Sequence, residues 1–212
     1  MSIGEIIETT STGFVAESFK LNQPPPLGSL VVVRLSAEGS SAGTELYGVV
    51  SYGRTAGLDP SRRAVRRSTD AIFDAAIYTH HPYLEHTLRT EFGVALVGFV
   101  TSGRLRQQLP ARPPPLHFSV QDTSMEEVRH FTDSLLYLRL LLMPYGDVPP
   151  QQVLAANVRQ VYEQRGHDDM WLDAAAREIA MLLKDDYGAL LTVLYAIDPG
   201  DVPVAVPRGG EA

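Results

Sequence analysis

The stretch PPPLGSLVVVRL at residues 24–35 decides how the first half of the chain is interpreted. Three prolines stop regular structure, Gly28 supplies the backbone freedom of a turn, and three consecutive valines follow. A strand with valine at every central position is too apolar to face water on one side. We therefore expect residues 30–35 to form a strand that is buried on both faces.

A second proline segment, LPARPPPLHFSV at residues 109–120, repeats this device, because a proline run cannot continue a central strand. Short apolar runs separated by glycine-rich turns occupy much of the chain before it. These runs lie at residues 3–7, 14–19, 45–52 and 93–101, and the last is expected to continue through 105–109. Gly48 is a candidate bulge or point of close approach. Strands at this spacing predict a small barrel or sandwich.

The second half of the chain has helical periodicity. Ser124 with Glu127 matches a capping box, and Thr123 with Glu126 is the competing register. The apolar stripe consists of Val128, Phe131, Leu135, Leu138 and Leu142. It predicts a single helix that continues through residues 135–143, where apolar side chains surround the axis and predict burial on more than one side.

Three further helices are expected. Pro149 and Pro150 suit the first turn of one helix and Gly166 its end. Asp168 and Asp169 fit the start of the next, since negative charge is favourable at a helix N-terminus. The pair at residues 185–186 falls at the end of that helix, where negative charge is unfavourable. The last of the three is expected at residues 189–197. Separately, a possible cap at residues 68–70 suggests a short helix in the first half of the chain.

These patterns predict a two-domain α+β protein. An antiparallel β domain, either a barrel or a sandwich, occupies residues 1–121, with an irregular or helical insertion at about 54–92. A helical domain covers 122–197, and a flexible proline- and glycine-rich tail follows at 198–212. A Gly/Ser-rich loop is expected at residues 38–43.

Composition limits the classes of function. The net charge of −7 argues against wholesale coating of nucleic acid, which needs a positive surface. The absence of cysteine excludes disulfides, thiolate catalysis and cysteine-ligated metals. The opening MSIGEIIETTS lacks the features of a signal peptide, and the longest apolar run is too short to span a bilayer. We expect a cytoplasmic protein without membrane insertion.

Several segments resemble the HAS-barrel, the small β-barrel at the N-terminus of HerA-type translocases and of ATP synthase catalytic and non-catalytic subunits. The matching segments are IGEIIETTSTGFVAES at 3–18, LG at 27–28 before the valine strand, YGVV at 47–50, and the return segment GFVTSGRLRQQLPARPPPLHFSVQDTSMEEV at 98–128. The resemblance covers residues 1–121, is loosest at 54–92, and implies that the β domain is a small antiparallel barrel. The arrangement is also similar to that of an uncharacterised family of cyanobacterial proteins.

The resemblance implies an assembly or docking module. In those ATPases a P-loop follows the barrel, but this sequence has no G-x-x-x-x-G-K-[ST] motif, and neither Lys20 nor Lys184 lies in a glycine-rich turn. Nucleotide hydrolysis of that type is therefore not expected, nor is any cofactor. In the translocases and the synthase the barrels sit side by side in a ring, which implies as partners either copies of this chain or a ring ATPase.

Four arginines within six residues form the candidate binding site: Arg62, Arg63, Arg66 and Arg67. Such a run can dock electrostatically to phosphates or to an acidic partner. The alternative is a solvated loop. No aromatic residue interleaves with the arginines, so the sequence does not indicate a base-stacking platform.

The stretch THHPYLEH at residues 79–86 is the candidate metal site. His81, Glu85 and His86, with His80 beside them, have a helical spacing that suggests metal ligation. The zinc motif H-x-x-E-H would need histidine where Pro82 stands. The structural alternative is a helix that starts at Pro82 with polar residues outside.

Three functions follow from these patterns. The first is a non-enzymatic assembly or adaptor protein whose barrel mediates oligomerisation or docking to a ring-forming partner. The second is a nucleic-acid-associated accessory factor that uses the arginine run. The third is a metal-dependent enzyme at the histidine cluster. No catalytic constellation supports an enzyme otherwise.

Overall fold

Six antiparallel strands close into a barrel in the part of the chain that the computed structural model describes, residues 1–35, 43–59 and 63–198. The described residues hold seven strands, of which all but β6 form the ring: β1 (Ser2–Thr9), β2 (Gly13–Ser18), β3 (Leu30–Leu35), β4 (Thr44–Gly57), β5 (Leu88–Thr101), β6 (Arg104–Arg106) and β7 (Ser119–Asp122). The order around the ring is β1–β7–β3–β4–β5–β2, and β2 pairs back with β1. Each ring strand therefore pairs with two other strands of the ring. Strand β6 lies outside the ring and pairs with the end of β5.

Both faces of β3 are buried, as the three consecutive valines predict. Val31 and Val33 belong to the core inside the barrel, together with Phe14 and Phe92. Val32 points the other way, into a second core that the barrel shares with the helices. Because side chains alternate along a strand, successive valines fill the two cores in turn, and neither face of β3 is left for polar residues at these positions.

Helices make up most of the chain after the barrel. The α-helices are α1 (Ala75–His80), α2 (Met125–Thr132), α3 (Pro150–Gln164), α4 (Asp169–Leu182) and α5 (Tyr187–Ile197), with 3-10 helices at Pro82–His86 and Leu136–Leu142. The barrel followed by a helical region confirms the predicted α+β class. No helix in the described ranges has the length and apolar character needed to cross a bilayer.

The helices cover one side of the barrel. Tyr47 and Val49 on β4 face a core that includes Phe131 on α2 and Leu154 on α3. The rings of Tyr47 and Phe131 are stacked with their centroids 4.7 Å apart. One continuous apolar core therefore joins the barrel to the helices; the division into two domains at residue 121 stays a prediction.

The single helix predicted after Ser124 is wrong, because the apolar stripe is divided between α2 and the 3-10 helix Leu136–Leu142. The buried amide of Gln107 occupies the break. Its Nε2 donates to the carbonyl oxygens of Phe131 at 2.7 Å and Ser134 at 2.8 Å. Its Oε1 accepts from the backbone N–H of Tyr137 at 3.1 Å. One side chain from outside the helix satisfies backbone groups that the break leaves without helical partners.

Two helix starts are confirmed. Ser124 and Glu127 form the complete capping box at the start of α2. Thr123 belongs to no box, because its hydroxyl donates to the carbonyl oxygen of Leu30 at 2.8 Å, so the competing register is wrong. Asp168 caps α4 by accepting from the backbone N–H of Trp171 at 3.1 Å.

The last helix begins earlier than expected. Asp186 accepts from the backbone N–H of Ala189 at 2.9 Å and caps α5, which starts at Tyr187. The carboxylate that was unfavourable at the end of α4 is therefore favourable at the start of the next helix.

The strands that flank the predicted insertion are longer than expected. The β4–β5 ladder continues to the pair Gly57–Leu88, so the insertion between the two strands is 58–87 and not about 54–92. The hydroxyls of Thr55 and Thr90 lie 2.8 Å apart across this ladder. The shift in register between Tyr47 and Gly48 confirms the candidate bulge.

Three smaller expectations are wrong. The strand expected through residues 105–109 is limited to Arg104–Arg106. Phe19 lies beyond the end of β2 and is exposed. The cap expected at residues 68–70 starts no helix, because α1 begins after Asp74. The expected tail, apart from Asp198, and the expected loop, apart from Gly43, lie outside the described residues.

Candidate functional site

The arginine run and the histidine cluster lie on the same segment, residues 58–87, which we call the projection. It leaves the barrel at the paired ends of β4 and β5, where the backbone N–H of Leu58 donates to the carbonyl oxygen of Thr87 at 3.0 Å. Asn22, in the loop after β2, donates from its side chain to the hydroxyl of Tyr78 at 2.7 Å. The backbone N–H of Asn22 also donates to the hydroxyl of Thr90 at 2.7 Å. A barrel loop thus holds the projection on a second side.

A cavity of about 580 Å³ opens within the projection. The ends of β4 and β5, helix α1, the 3-10 helix Pro82–His86 and the segment at residues 63–67 surround it. Two aromatic residues, Tyr78 and Tyr83, also line it, and the aliphatic lining consists of Leu58, Ala64, Val65, Ile77, Leu84 and Leu88. Leu84 is buried, and Ile77 and Leu88 are half-buried. The interior of the cavity is therefore mainly aliphatic.

Arginine side chains line the same cavity. Arg63 and Arg67 belong to its wall, and the guanidinium carbon of Arg67 lies 5.8 Å from the centre of the Tyr83 ring. Neither Arg63 nor Arg67 forms an ion pair with a carboxylate of the described residues. The guanidinium groups of Arg63 and Arg67 therefore lie beside a mainly apolar cavity.

The other arginines of the run do not contribute in the same way. Arg66 is exposed and is not part of the cavity wall. Arg62 lies outside the described residues. The structure therefore brings two members of the predicted site, Arg63 and Arg67, to one place.

Large apolar side chains are exposed on the projection. Leu58 is 50% exposed, Val65 68% and Phe73 58%. Tyr78 and Tyr83 are also exposed. Clusters of exposed apolar residues mark surfaces that contact other molecules. Sequence reasoning missed these residues, although the apolar side chains that flank the arginine run without any helical or strand period were a visible indication.

The candidate metal ligands do not share a face. His81 precedes the 3-10 helix, while Glu85 and His86 lie within it. Side chains four residues apart do not align in a helix with three residues per turn, so the α-helical spacing assumed from the sequence does not apply. Among the described residues, no group of three histidine, aspartate or glutamate side chains is placed to hold a metal ion.

A second polar cluster lies where the barrel meets α2. Arg34 on β3 contacts Glu45 at 3.2 Å, and it also donates to Gln121 on β7 and Glu127 on α2. The hydroxyl of Tyr47 donates to Glu45 at 3.1 Å. The cluster joins three strands to one helix, and its contacts account for it as a structural connection.

Two pKa values in this cluster are shifted. Burial, followed by the negative charges of Glu45 and Glu127, raises the pKa of Tyr47 well above its usual value. Burial would also raise the pKa of Glu127, but hydrogen bonds from Ser124 and the charge of Arg34 outweigh it and lower the pKa. Both shifts favour the protonation states that hold the cluster together near neutral pH: a hydroxyl that donates and a carboxylate that accepts.

No protein-family model matches this sequence, and no curated protein shows significant similarity to it. The resemblance to the HAS-barrel therefore stays a prediction from the motifs quoted above.

Proposed function

We propose that this protein is a non-enzymatic assembly or adaptor protein. The barrel and helices form the platform, and the barrel docks through its projection to a second copy or to a ring-forming partner of the ATPase type. The observation that carries the proposal is the exposed apolar surface of Leu58, Val65 and Phe73 on the projection. Exposing these side chains to water has a free-energy cost that contact with a partner would remove.

The interior of the barrel supports a scaffold role. Side chains from every ring strand fill it: Ile6, Phe14, Ala16, Val31, Val33, Leu46, Val50, Phe92, Val94, Leu96 and Val120. A filled small barrel offers no internal ligand space, in contrast to larger barrels that enclose ligands. The surface that remains for recognition is outside, where the projection presents exposed apolar side chains.

The test combines light scattering over a concentration series with crosslinking in cells followed by mass spectrometry. The double variant Val65→Ser/Phe73→Ser removes exposed apolar surface without touching the core. Met181→Ser is the control, since Met181 is 68% exposed on α4, away from the projection. We expect the wild type and the control to form an oligomer or capture a stoichiometric partner, and the double variant to lose it. A wild-type protein that is monomeric and has no partner would contradict the proposal.

A nucleic-acid-associated role is the second candidate. The observation that favours it is Arg67 beside the ring of Tyr83, which places an aromatic face next to a cation where the linear sequence showed none. This role predicts salt-sensitive binding of a single-stranded oligonucleotide that is lost when Arg62, Arg63, Arg66 and Arg67 become alanine. Binding that is unchanged in that variant would remove the hypothesis.

A further inference from the structure

We infer that the cavity of the projection binds a linear segment of a partner protein, in which an apolar anchor side chain stands next to a carboxylate. The inference deepens the proposed function and rests on it, because it names the chemistry of the partner. Two properties of the cavity carry it: an aliphatic interior and arginines in its wall.

The interior selects an apolar anchor. Its volume of about 580 Å³ falls within the range of roughly 300–1,000 Å³ typical of ligand pockets. Leu58 and Leu88, at the strand ends, and Leu84, from the 3-10 helix, line it. An aliphatic or aromatic side chain placed there would leave water for an apolar environment, which is the main source of affinity in such anchors.

The wall selects a carboxylate. Two arginines, Arg63 and Arg67, and one carboxylate, Asp59, are the charged residues of the lining, so its net charge is positive. The guanidinium carbon of Arg67 lies 5.8 Å from the centre of the Tyr83 ring, within the range of a cation–π contact. A guanidinium can bind a carboxylate through two parallel hydrogen bonds.

The surroundings favour a protein segment over the other ligands. Val65 in the cavity wall is 68% exposed, and Phe73, which lies on the projection but not in the lining, is 58% exposed; a small metabolite held in the cavity would leave Phe73 uncovered. Most of the lining is aliphatic and gives bases no surface to stack on, Tyr78 and Tyr83 being its two aromatic residues, and the net charge of −7 opposes binding of a phosphate backbone. A peptide with neighbouring apolar and acidic side chains matches both the floor and the wall.

The experiment selects binders to the full-length chain from a random dodecapeptide display library. We expect a consensus that contains a leucine, isoleucine or phenylalanine beside an aspartate or glutamate. The affinity of the consensus peptide is then measured by fluorescence anisotropy. It should fall about tenfold or more in Arg67→Gln, and also in Leu58→Ser, since each removes one half of the recognition.

Matched variants keep the test specific. Arg104→Gln removes an exposed arginine on β6 and should leave the affinity unchanged. Arg67→Lys keeps the charge but loses the fork geometry, so its affinity should lie between those of the wild type and Arg67→Gln. Circular dichroism and thermal melting of each variant check that these surface changes leave the fold intact.

Several outcomes would overturn the inference. These are a library without a consensus, a basic or purely polar consensus, or a consensus peptide whose affinity is the same in Arg67→Gln. Oligonucleotide binding lost in Arg67→Gln, without a peptide consensus, would also overturn it. If assembly still depends on Val65 and Phe73 in that case, the proposed function survives and the peptide inference alone fails.

Discussion

The side chain of Asn157 donates a 2.9 Å hydrogen bond to the carbonyl oxygen of Gly28, a residue 129 positions earlier in the chain. Its amide oxygen accepts from the hydroxyl of Tyr137 at 3.0 Å. Asn157 lies in α3 and is fully buried, Gly28 forms the turn before β3, and Tyr137 belongs to the second 3-10 helix. One buried amide thus joins the barrel to two elements of the helical region.

Replacing this amide should destabilise the whole fold. Asn157→Leu keeps the side chain at a similar size but leaves the carbonyl of Gly28 and the hydroxyl of Tyr137 buried without their partner. We expect a loss of about 2–4 kcal/mol in the free energy of unfolding, measured by urea denaturation. Gln152→Leu, at an exposed position of the same helix, should cost less than about 0.5 kcal/mol. Equal effects of the two changes would refute this role of Asn157.

The close approach of helix α3 leaves no space for a side chain at Gly28. Its φ is +84°, and a Cβ there would lie 2.3 Å from the backbone carbonyl carbon of Ala156 in α3. Gly103 has a similar φ of +69° but nothing within 4 Å of such a Cβ. Gly103→Ala should therefore cost about 1–2 kcal/mol from backbone strain alone. Gly28→Ala should cost at least about 1 kcal/mol more, because α3 must move away.

The comparison uses thermal and urea unfolding of the two alanine variants under identical conditions. The difference between them isolates the contact between the turn and α3 from the conformational preference that both glycines share. A Gly28→Ala variant no less stable than Gly103→Ala would mean that α3 moves away from the turn without cost.

Asp168 should make the free energy of unfolding decrease as the pH falls into the acid range. The hydrogen bond from the backbone of Trp171, followed by the hydrogen bonds and charge of Arg165, lowers the pKa of Asp168 below its ordinary value of 3.8. A carboxyl group with a lowered pKa contributes stability that is complete above the pKa of the unfolded chain and is lost as the pH falls through the lower folded value. Asp168→Asn keeps a capping oxygen but carries no charge.

We therefore expect the wild type to be more stable than Asp168→Asn near neutral pH, and this advantage to shrink as the pH falls below 3.8. Urea unfolding of both proteins between about pH 2 and 7 measures it. The opposite trend, an advantage that grows in acid, would contradict the ion pair between Asp168 and Arg165.

Tyr145 should ionise at a higher pH than an ordinary tyrosine. Burial, followed by the negative charge of Tyr52, raises its pKa to about 12, although a hydrogen bond with Thr10 acts in the other direction. A rapid jump to alkaline pH, followed by tyrosinate absorbance before the protein unfolds, should show a component with this midpoint. Tyr145→Phe should remove it. Because the folded pKa is raised, the contribution of Tyr145 to stability is present below pH 10 and is lost as the pH rises towards 12.

The sequence by itself determined the features that depend on neighbouring residues. The consecutive valines of β3 require burial on both faces, because side chains alternate along a strand. The caps near residue 124 and at Asp168 identify helix starts to within a residue, because a cap contacts backbone groups within three residues. Strands followed by helices could be predicted from such local patterns, while the choice of Ser124 over Thr123 and the closure of the barrel depended on distant contacts.

Only the tertiary structure decided the features that depend on distant residues. Gln107 divides the predicted helix because its amide reaches Tyr137, 30 residues away. Asn22 holds Tyr78 across 56 residues and so helps to position the cavity wall. Arg67 gains Tyr83 as a neighbour by the same folding of the projection. Periodicity and capping report on the first few neighbours of each residue, whereas a cavity is formed by segments that only the closed β4–β5 ladder brings together.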